Sequence, residues 1–240
     1  MEQQDADLAS PVQLQPRRNP LQERAKDTVE KILDATAEVL EEVGHTKLTT
    51  KRVAKRSGIN IATLYHYFPN KLALLHALAQ RNMEQLKEKL DAVYGRRAET
   101  GWPDVVDNVI DAVFEFARNT RGFVALSLAM RSYPSLRQID HQSDLRESES
   151  RSQALAELGV KGSHRELQLK ALMIAEVISA MIDYALQYYP ERADAAMDEV
   201  KLMVKLYIEY HLRQSAEDPS SADTAEQEHG PEKPDSSLDR

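Results

Sequence analysis

Residues 49–71 read TTKRVAKRSGINIATLYHYFPNK and hold two short helix signals, a glycine turn between them and a cluster of cations and hydroxyls. Thr49 or Thr50 can cap a helix through Lys51 to Ser57, its side-chain oxygen accepting a backbone N–H that has no helical partner. Gly58 ends that helix, because glycine tolerates the left-handed backbone a helix terminus needs. Asn60 is then a good cap for a second helix through Ile61 to Phe68. Val53, Ala54, Ile59, Leu64 and Phe68 are spaced to face inward and hold the two helices at a fixed angle. What remains is what a phosphate backbone selects: Lys51, Arg52, Lys55 and Arg56 as cations, and Thr50, Thr63, Tyr65, His66 and Tyr67 as polar donors. This is helix-turn-helix chemistry. The competing reading is a plain helical hairpin with a solvated basic face.

The acidic total, net charge -8 with a pI near 5.5, is no obstacle to DNA binding, because the charge is uneven. Residues 17–76 carry 11 Lys and Arg against 7 Asp and Glu, whereas residues 214–240 carry 2 against 8. Local field governs phosphate binding, so a basic head on an acidic chain is consistent. With 240 residues, 42% of them hydrophobic, the chain can bury a real core. It has no cysteine, hence no disulfide framework, thiolate metal site or cysteine nucleophile, which fits a reducing cytoplasm. No apolar run reaches the roughly 18 residues of a membrane span, and residues 1–20 are too polar for a secretion signal. The expectation is a cytoplasmic protein with no membrane partner.

Outward from the motif, nearly everything reads as helix. Residues 1–20, with Pro11, Pro16 and Pro20, form an arm without periodicity. Arg17, Arg18 and Arg24 give it the charge to reach a minor groove, although a merely disordered leader explains the composition as well. A first helix runs from Ala25 to Val43 and stops at Gly44, and a longer one from Asn70 to Val93 leaves the motif. Further helices follow from Pro103 to Asn119, from Gly122 to Ser132 and from Pro134 to about Leu158. The acidic stretch 214–240 reads as a disordered tail. The expected fold is all-α, with a head over residues 21–70 and a helical ligand-binding and dimerisation domain over 71–213.

The last two helices are apolar over more of their circumference than one buried face requires. A capping box, Ser163 and Glu166, opens the first, and Pro190 separates it from the second. One side of the pair can pack on its own chain and the other on a second copy, giving a symmetric four-helix interface. Leu172, Val177, Met181, Val200, Met203, Leu206, Tyr207 and Tyr210 are the expected interface residues. Deep burial of both helices within a monomer is the alternative. A dimer suits the head, since helix-turn-helix proteins commonly read two half-sites about 34 Å apart, or a multiple of that, on a pseudo-palindrome.

On these residues the chain resembles the TetR family of bacterial transcriptional regulators. The resemblance rests on ILDATAEVLEEVG in the first helix, paired Thr49 and Thr50, Val53-Ala54, Ser57-Gly58-Ile59, the run Thr63 to Phe68, and Asn70-Lys71-Leu72. Beyond Leu75 it is one of helix count, length and the two apolar terminal helices. Asn60-Ile61-Ala62 departs from the family's more usual start of the recognition helix. The resemblance implies a dimeric repressor that leaves its double-stranded DNA operator when a small-molecule effector enters the carboxy-terminal domain. By position it implies phosphate contacts from Thr50, Thr63, Tyr65, Tyr67 and Lys71, with Thr49 beside them, and base-edge approach by Lys51, Asn60, Ile61, Ala62 and His66. The helix from Asn70 to Val93 becomes the lever between effector and head.

The effector site is the least legible part. Trp102, Phe114, Phe123, Met130, Tyr133, His141 and Tyr184 are candidates to line it, with Phe116 beside them and Arg118, Arg131 or Asp183 as polar anchors. Each of these is more often plain core or surface, since aromatic side chains at helical spacing usually just fill a core. His141, Asp144 and Glu147 share a helical face, but one imidazole and two solvated carboxylates make a poor metal site, and neither metal nor cofactor is expected. No Gly-rich phosphate loop, His-Glu metal motif or Ser-His-Asp set points to an enzyme. The other class that fits is a helical dimer whose basic head docks a protein and no DNA.

Overall fold

A computed structural model describes residues 23–95 and 100–217, with side chains described from residue 25 onward except at 138–147. The expected arm at 1–20 and the tail beyond 217 lie outside the described residues. Within them the fold is all-α, without a strand.

Helix α1 spans Glu23–Lys47 and is kinked at Gly44, where the first helix was expected to stop; one further turn follows the kink. Its Ile32, Leu33, Val39 and Leu40 are buried, and Thr36 joins them because its hydroxyl donates to the Ile32 carbonyl at 2.7 Å, leaving no unmet polar atom. Helices α2 (Thr50–Ser57) and α3 (Ile61–Tyr67) follow, and α4 (Lys71–Tyr94) starts behind an Asn70 cap that accepts from the Ala73 N–H. At 24 residues α4 is about 36 Å long, enough to run from the head well into the rest of the molecule.

Helices α5 (Trp102–Asn119), α6 (Phe123–Ser132) and α7 (Pro134–Glu157) precede the final pair, α8 (His164–Tyr188) and α9 (Ala193–Glu217). The Ser163–Glu166 capping box forms in both directions at the start of α8, which draws Glu166 below the usual carboxylate range, because its carboxylate accepts from the Ser163 backbone and hydroxyl. Pro190 begins a short 3-10 turn that redirects the chain into α9. Helix α9 runs four residues past the expected start of the tail. Ser215 holds it there, donating to the His211 carbonyl and accepting the Lys161 N–H, both at 2.8 Å.

Two apolar clusters organise these helices. The first packs α1 to α4 around Leu48, Leu64, Phe68, Leu74 and Leu75, and also takes in Leu126, Ala129 and Met130 from α6 and Leu136 from α7. The second packs α5, α8 and α9 around Ile110, Phe114, Ile182, Met197 and Val200. Helix α6 therefore seals the underside of the head while also touching α8, so any displacement of α6 is felt by α1.

Candidate nucleic-acid interface

The caps place the two short helices. Thr49 accepts from the Arg52 N–H at 3.3 Å, which settles the choice between Thr49 and Thr50, and Asn60 accepts from the Ala62 N–H at 2.8 Å. Between them Gly58 sits at φ 68, the left-handed region in which a side chain would be strained. Leu64 and Phe68 are fully buried beneath α3, and Val53 and Ala54 beneath α2. A second tie joins the helices on the outside, where the Thr50 and Tyr65 hydroxyls lie 2.9 Å apart. These are two of the expected phosphate contacts, so either oxygen can turn to a phosphate without moving the backbone.

Thr49, Lys51, Asn60, Ala62, Thr63, Tyr65 and His66 are exposed together on this surface. Ile61 is turned differently. It is half-buried against the head core because it lies one turn before Leu64, so it supports α3 and offers little to a base edge. Tyr67 is also half-buried, its ring 5.3 Å edge-on from that of His66. Lys71 stands in the first turn of α4 with its ammonium 5.1 Å over the ring of Tyr133, a cation–π contact.

The four cations of the motif separate into two kinds. All four are exposed, but Arg56 is also ion-paired within the chain, donating to Glu42 at 2.6 Å and to Glu38 at 2.9 Å on α1. Hydrogen bonding to Glu42 and then Glu38 raises Arg56 above its ordinary value, and the same contact lowers Glu42. Arg56 thus braces α2 on α1. Glu38 is shared, since Arg121 from the α5–α6 turn reaches it at 3.2 Å.

Along α8 and α9 runs a broad apolar surface that the described residues leave uncovered. Leu169, Met173, Val177, Tyr184 and Tyr188 succeed one another at helical spacing on α8, and Leu202, Met203, Leu206 and Tyr210 do so on α9. Of the expected interface residues, Val177, Met203, Leu206 and Tyr210 are exposed, and Leu172, Met181 and Tyr207 are half-buried. Val200 is a correction: it is fully buried in its own chain's core, at the edge of the buried stripe of α9 beside exposed Met203, and leaves no surface for a second copy.

The residues expected to line an effector site are split between the second cluster, the head core and the outer apolar face. Phe114 and its neighbour Phe116 are buried, and Trp102 and Phe123 pack half-buried against the second cluster. Met130 belongs to the head core. Tyr133 clamps the head from below, its hydroxyl donating to the His45 carbonyl at 3.4 Å. Tyr184 stands on the outer apolar face with the Tyr188 and Tyr189 rings 5.1 and 5.7 Å away. The His141 side chain lies outside those described. Among the polar anchors, Asp183 is buried between α8 and α6, accepting from Ser127 at 2.5 Å and facing Arg131 at 3.0 Å.

Burial pushes Asp183 above its usual 3.8, with the Ser127 hydrogen bond and Arg131 opposing the rise. A carboxyl whose pKa is raised on folding holds its proton more tightly in the folded chain, so it costs stability as pH climbs from below 3.8 through the raised value. Asp183→Asn is therefore expected to gain stability relative to the wild type as pH rises across that window. Urea midpoints of the two proteins at several pH values measure it, and parallel curves would count against the raised carboxyl.

Two open clefts flank the α5–α6 turn where it meets α1. One, of about 380 Å³, is lined by Glu41, Phe123, Leu128, Leu186 and Arg118, and takes in two of the expected residues, Phe123 and Arg118. The other, of about 440 Å³, lies between α1, α4 and the turn, and includes Asn82, Arg81 and Arg121. None of these three stood out in the sequence. Asn82 could have, because it interrupts the inward stripe Leu75, Leu78, Leu86 of α4 with an amide. Among the described residues no cluster of His, Asp and Glu is placed to hold a metal, and no helix is long and apolar enough to cross a membrane.

Comparison with known proteins agrees with this geometry. The nucleoid occlusion factor SlmA of Mannheimia succiniciproducens is 33% identical over 81 residues, 34% of this chain and 37% of that protein. SlmA of Actinobacillus pleuropneumoniae is 32% identical over 98 residues, 40% of this chain and 48% of that protein. The matched part thus spans less than half the length of these curated relatives. A TetR-family transcriptional regulator from Streptomyces coelicolor superposes with a TM-score of 0.58 at 28% identity, over 77% of this chain and 99% of that one. The fatty acid degradation regulator FadR from Bacillus halodurans shares the fold, with a TM-score of 0.61 at 18% identity over 75% and 94%. A family model described as bacterial regulatory proteins, tetR family, matches residues 32–78, and one described as the tetracyclin repressor-like C-terminal domain matches residues 100–212. With its helix-turn-helix head and its helical body both matched, the chain belongs to the TetR family of DNA-binding regulators.

Proposed function

We propose that this protein is a homodimeric repressor that binds a pseudo-palindromic double-stranded operator and is released from it by a small-molecule effector. Residues 21–70 act as the reading domain and 71–213 as the domain for effector and dimer. The observation that carries the reading is the combination of α3, whose outer face is polar and open, with an uncovered apolar face on α8 and α9. A rigid reading helix supplies a few base contacts, and a second copy related by two-fold symmetry supplies the other half-site. Asn60, Ala62, His66 and Lys51 approach base edges; Thr49, Thr50, Thr63, Tyr65, Tyr67 and Lys71 contact phosphates; and Ile61 supports α3 from the inner side.

The direct test is a gel shift on DNA flanking the protein's own gene, with the mass of the complex read by light scattering. Two protomers per shifted fragment are expected. A protein that binds none of these fragments at low salt, yet captures a protein through its basic head, would favour the docking alternative.

Salt dependence separates the phosphate contacts. Each phosphate neutralised by a cation contributes about 0.9 to the slope of log K against log salt. Lys71→Ala is expected to lower that slope by about one and weaken all sequences alike. An unchanged slope would assign Lys71 to holding Tyr133 alone. Tyr65→Phe, which deletes a neutral hydroxyl bonded to Thr50, should cost roughly 0.5–1.5 kcal/mol in operator affinity and leave the slope as it is.

A further inference from the structure

We infer that the cleft between α1, α4 and the α5–α6 turn is a binding site for an unphosphorylated nucleobase or nucleoside, and that its occupant is the effector. Asn82 is the reason. It is only 3% exposed, lines the cleft, and finds no partner for either Nδ2 or Oδ1 among the described residues. A buried amide in that state costs stability unless something meets both atoms, and on an apolar stripe a leucine would pack without that cost. What meets both at once is a planar edge with adjacent donor and acceptor: an amino group donating to Oδ1 while a ring nitrogen accepts from Nδ2. This is the pairing by which asparagine reads adenine. The neighbouring Arg81 offers a further buried donor, because its Nε has no acceptor among the described residues.

The charge of the cleft selects against phosphate. Glu30, Asp34 and Glu38 line it from α1, and the two arginines opposite are already engaged: Arg81 with Glu30 at 3.0 Å and Asp34 at 2.7 Å, Arg121 with Glu38 at 3.2 Å. The carboxylates outnumber the cations, so a neutral base is admitted, a sugar hydroxyl finds acceptors, and a phosphate is repelled. Its volume of about 440 Å³ is in the range of small-molecule sites.

Occupancy reaches the head by a short route. One wall is α1, and Glu38 on that wall also holds Arg56 of α2 at 2.9 Å. The opposite wall is α4, which begins directly after the reading helix. A molecule bridging Asn82 to the α1 carboxylates therefore changes the α1–α4 spacing on which α2 and α3 are mounted. This coupling rests on the repressor reading above; binding itself does not.

Calorimetry on the full chain with adenine, adenosine, cytosine, purine riboside, N6,N6-dimethyladenosine and AMP tests the site. Adenine, adenosine or cytosine should bind, whereas purine riboside and N6,N6-dimethyladenosine, which lack any base N–H donor, and AMP, which adds a phosphate, should bind about tenfold more weakly or worse than adenosine. Asn82→Leu should abolish binding and raise the melting temperature, since it removes an unmet amide. Failure of all three amino bases overturns the proposal, as does equal binding of the dimethylated nucleoside or retained binding in Asn82→Leu; the probe series needs no variant to fold. The gel shift is then repeated with the base that binds. Release from DNA supports the coupling, and binding without release overturns the effector role. No gel shift in the absence of any base is a failure of the repressor reading alone.

Discussion

Leu206→Asp is expected to convert the proposed dimer to monomers and to eliminate operator binding. Leu206 is 55% exposed in the single chain and lies between Met203 and Tyr210 on the uncovered side of α9. In a two-fold interface it is buried in both copies, so each substitution places an uncompensated charge in an apolar seam. At about 3 kcal/mol per copy the pair weakens association by roughly 6 kcal/mol, on the order of ten-thousandfold. The variant should keep its helical circular dichroism, because Leu206 contributes little to its own chain's core. Light scattering reads the mass and a gel shift reads the loss of binding, with Leu206→Met as the conservative control. An intact Leu206→Asp dimer would place the interface elsewhere.

The second large effect concerns Gly122, at the joint between the α5–α6 turn and α1. A Cβ at this position would stand 2.7 Å from the carbonyl oxygen of Ala37, backbone against backbone, and φ is +71. The left-handed conformation alone costs a non-glycine residue roughly 1–2 kcal/mol, and the clash can be relieved only by moving α1 away from α6. Gly122→Ala should therefore lose about 3 kcal/mol, a fall in melting temperature of roughly 6 to 12 °C for a chain of this size. Gly101→Ala, at φ -69 with only an ordinary contact to Pro103, is the control and should melt within about a degree of wild type. The displacement has a second readout. Arg121 and the Gly122 N–H both hold Glu41, and Arg121 also holds Glu38, so a forced-apart joint should weaken DNA binding in whatever Gly122→Ala protein remains folded.

Much of the head was legible because its determinants are local. Caps, a glycine turn and inward apolar residues lie within 23 consecutive positions, and each acts through backbone geometry within a few residues of itself. Ile61 and Arg56 escaped for different reasons. A short helix has few residues to define its inward face, and an exposed cation in a sequence carries no sign that two α1 carboxylates are waiting for it. Val200 shows the same limit on α9: where a helix is apolar nearly all round, composition announces two buried faces without saying which residues belong to which.

The residues between Trp102 and Tyr184 mark where local reasoning ended. Aromatic side chains follow the same helical period whether they fill a core, clamp a joint or face a partner. Their division among two clusters, the Tyr133 clamp and the Tyr184 surface came only with the packing. By itself, then, the amino-acid sequence determined the helices, the reading head and the surplus of apolar surface at the carboxy-terminal end, because caps and periodicity act over a few residues. Tertiary structure alone decided that α6 seals the head, that Gly122 presses on Ala37 and that Asn82 is left facing a cleft, because each of these depends on helices that meet in space after long separation along the chain.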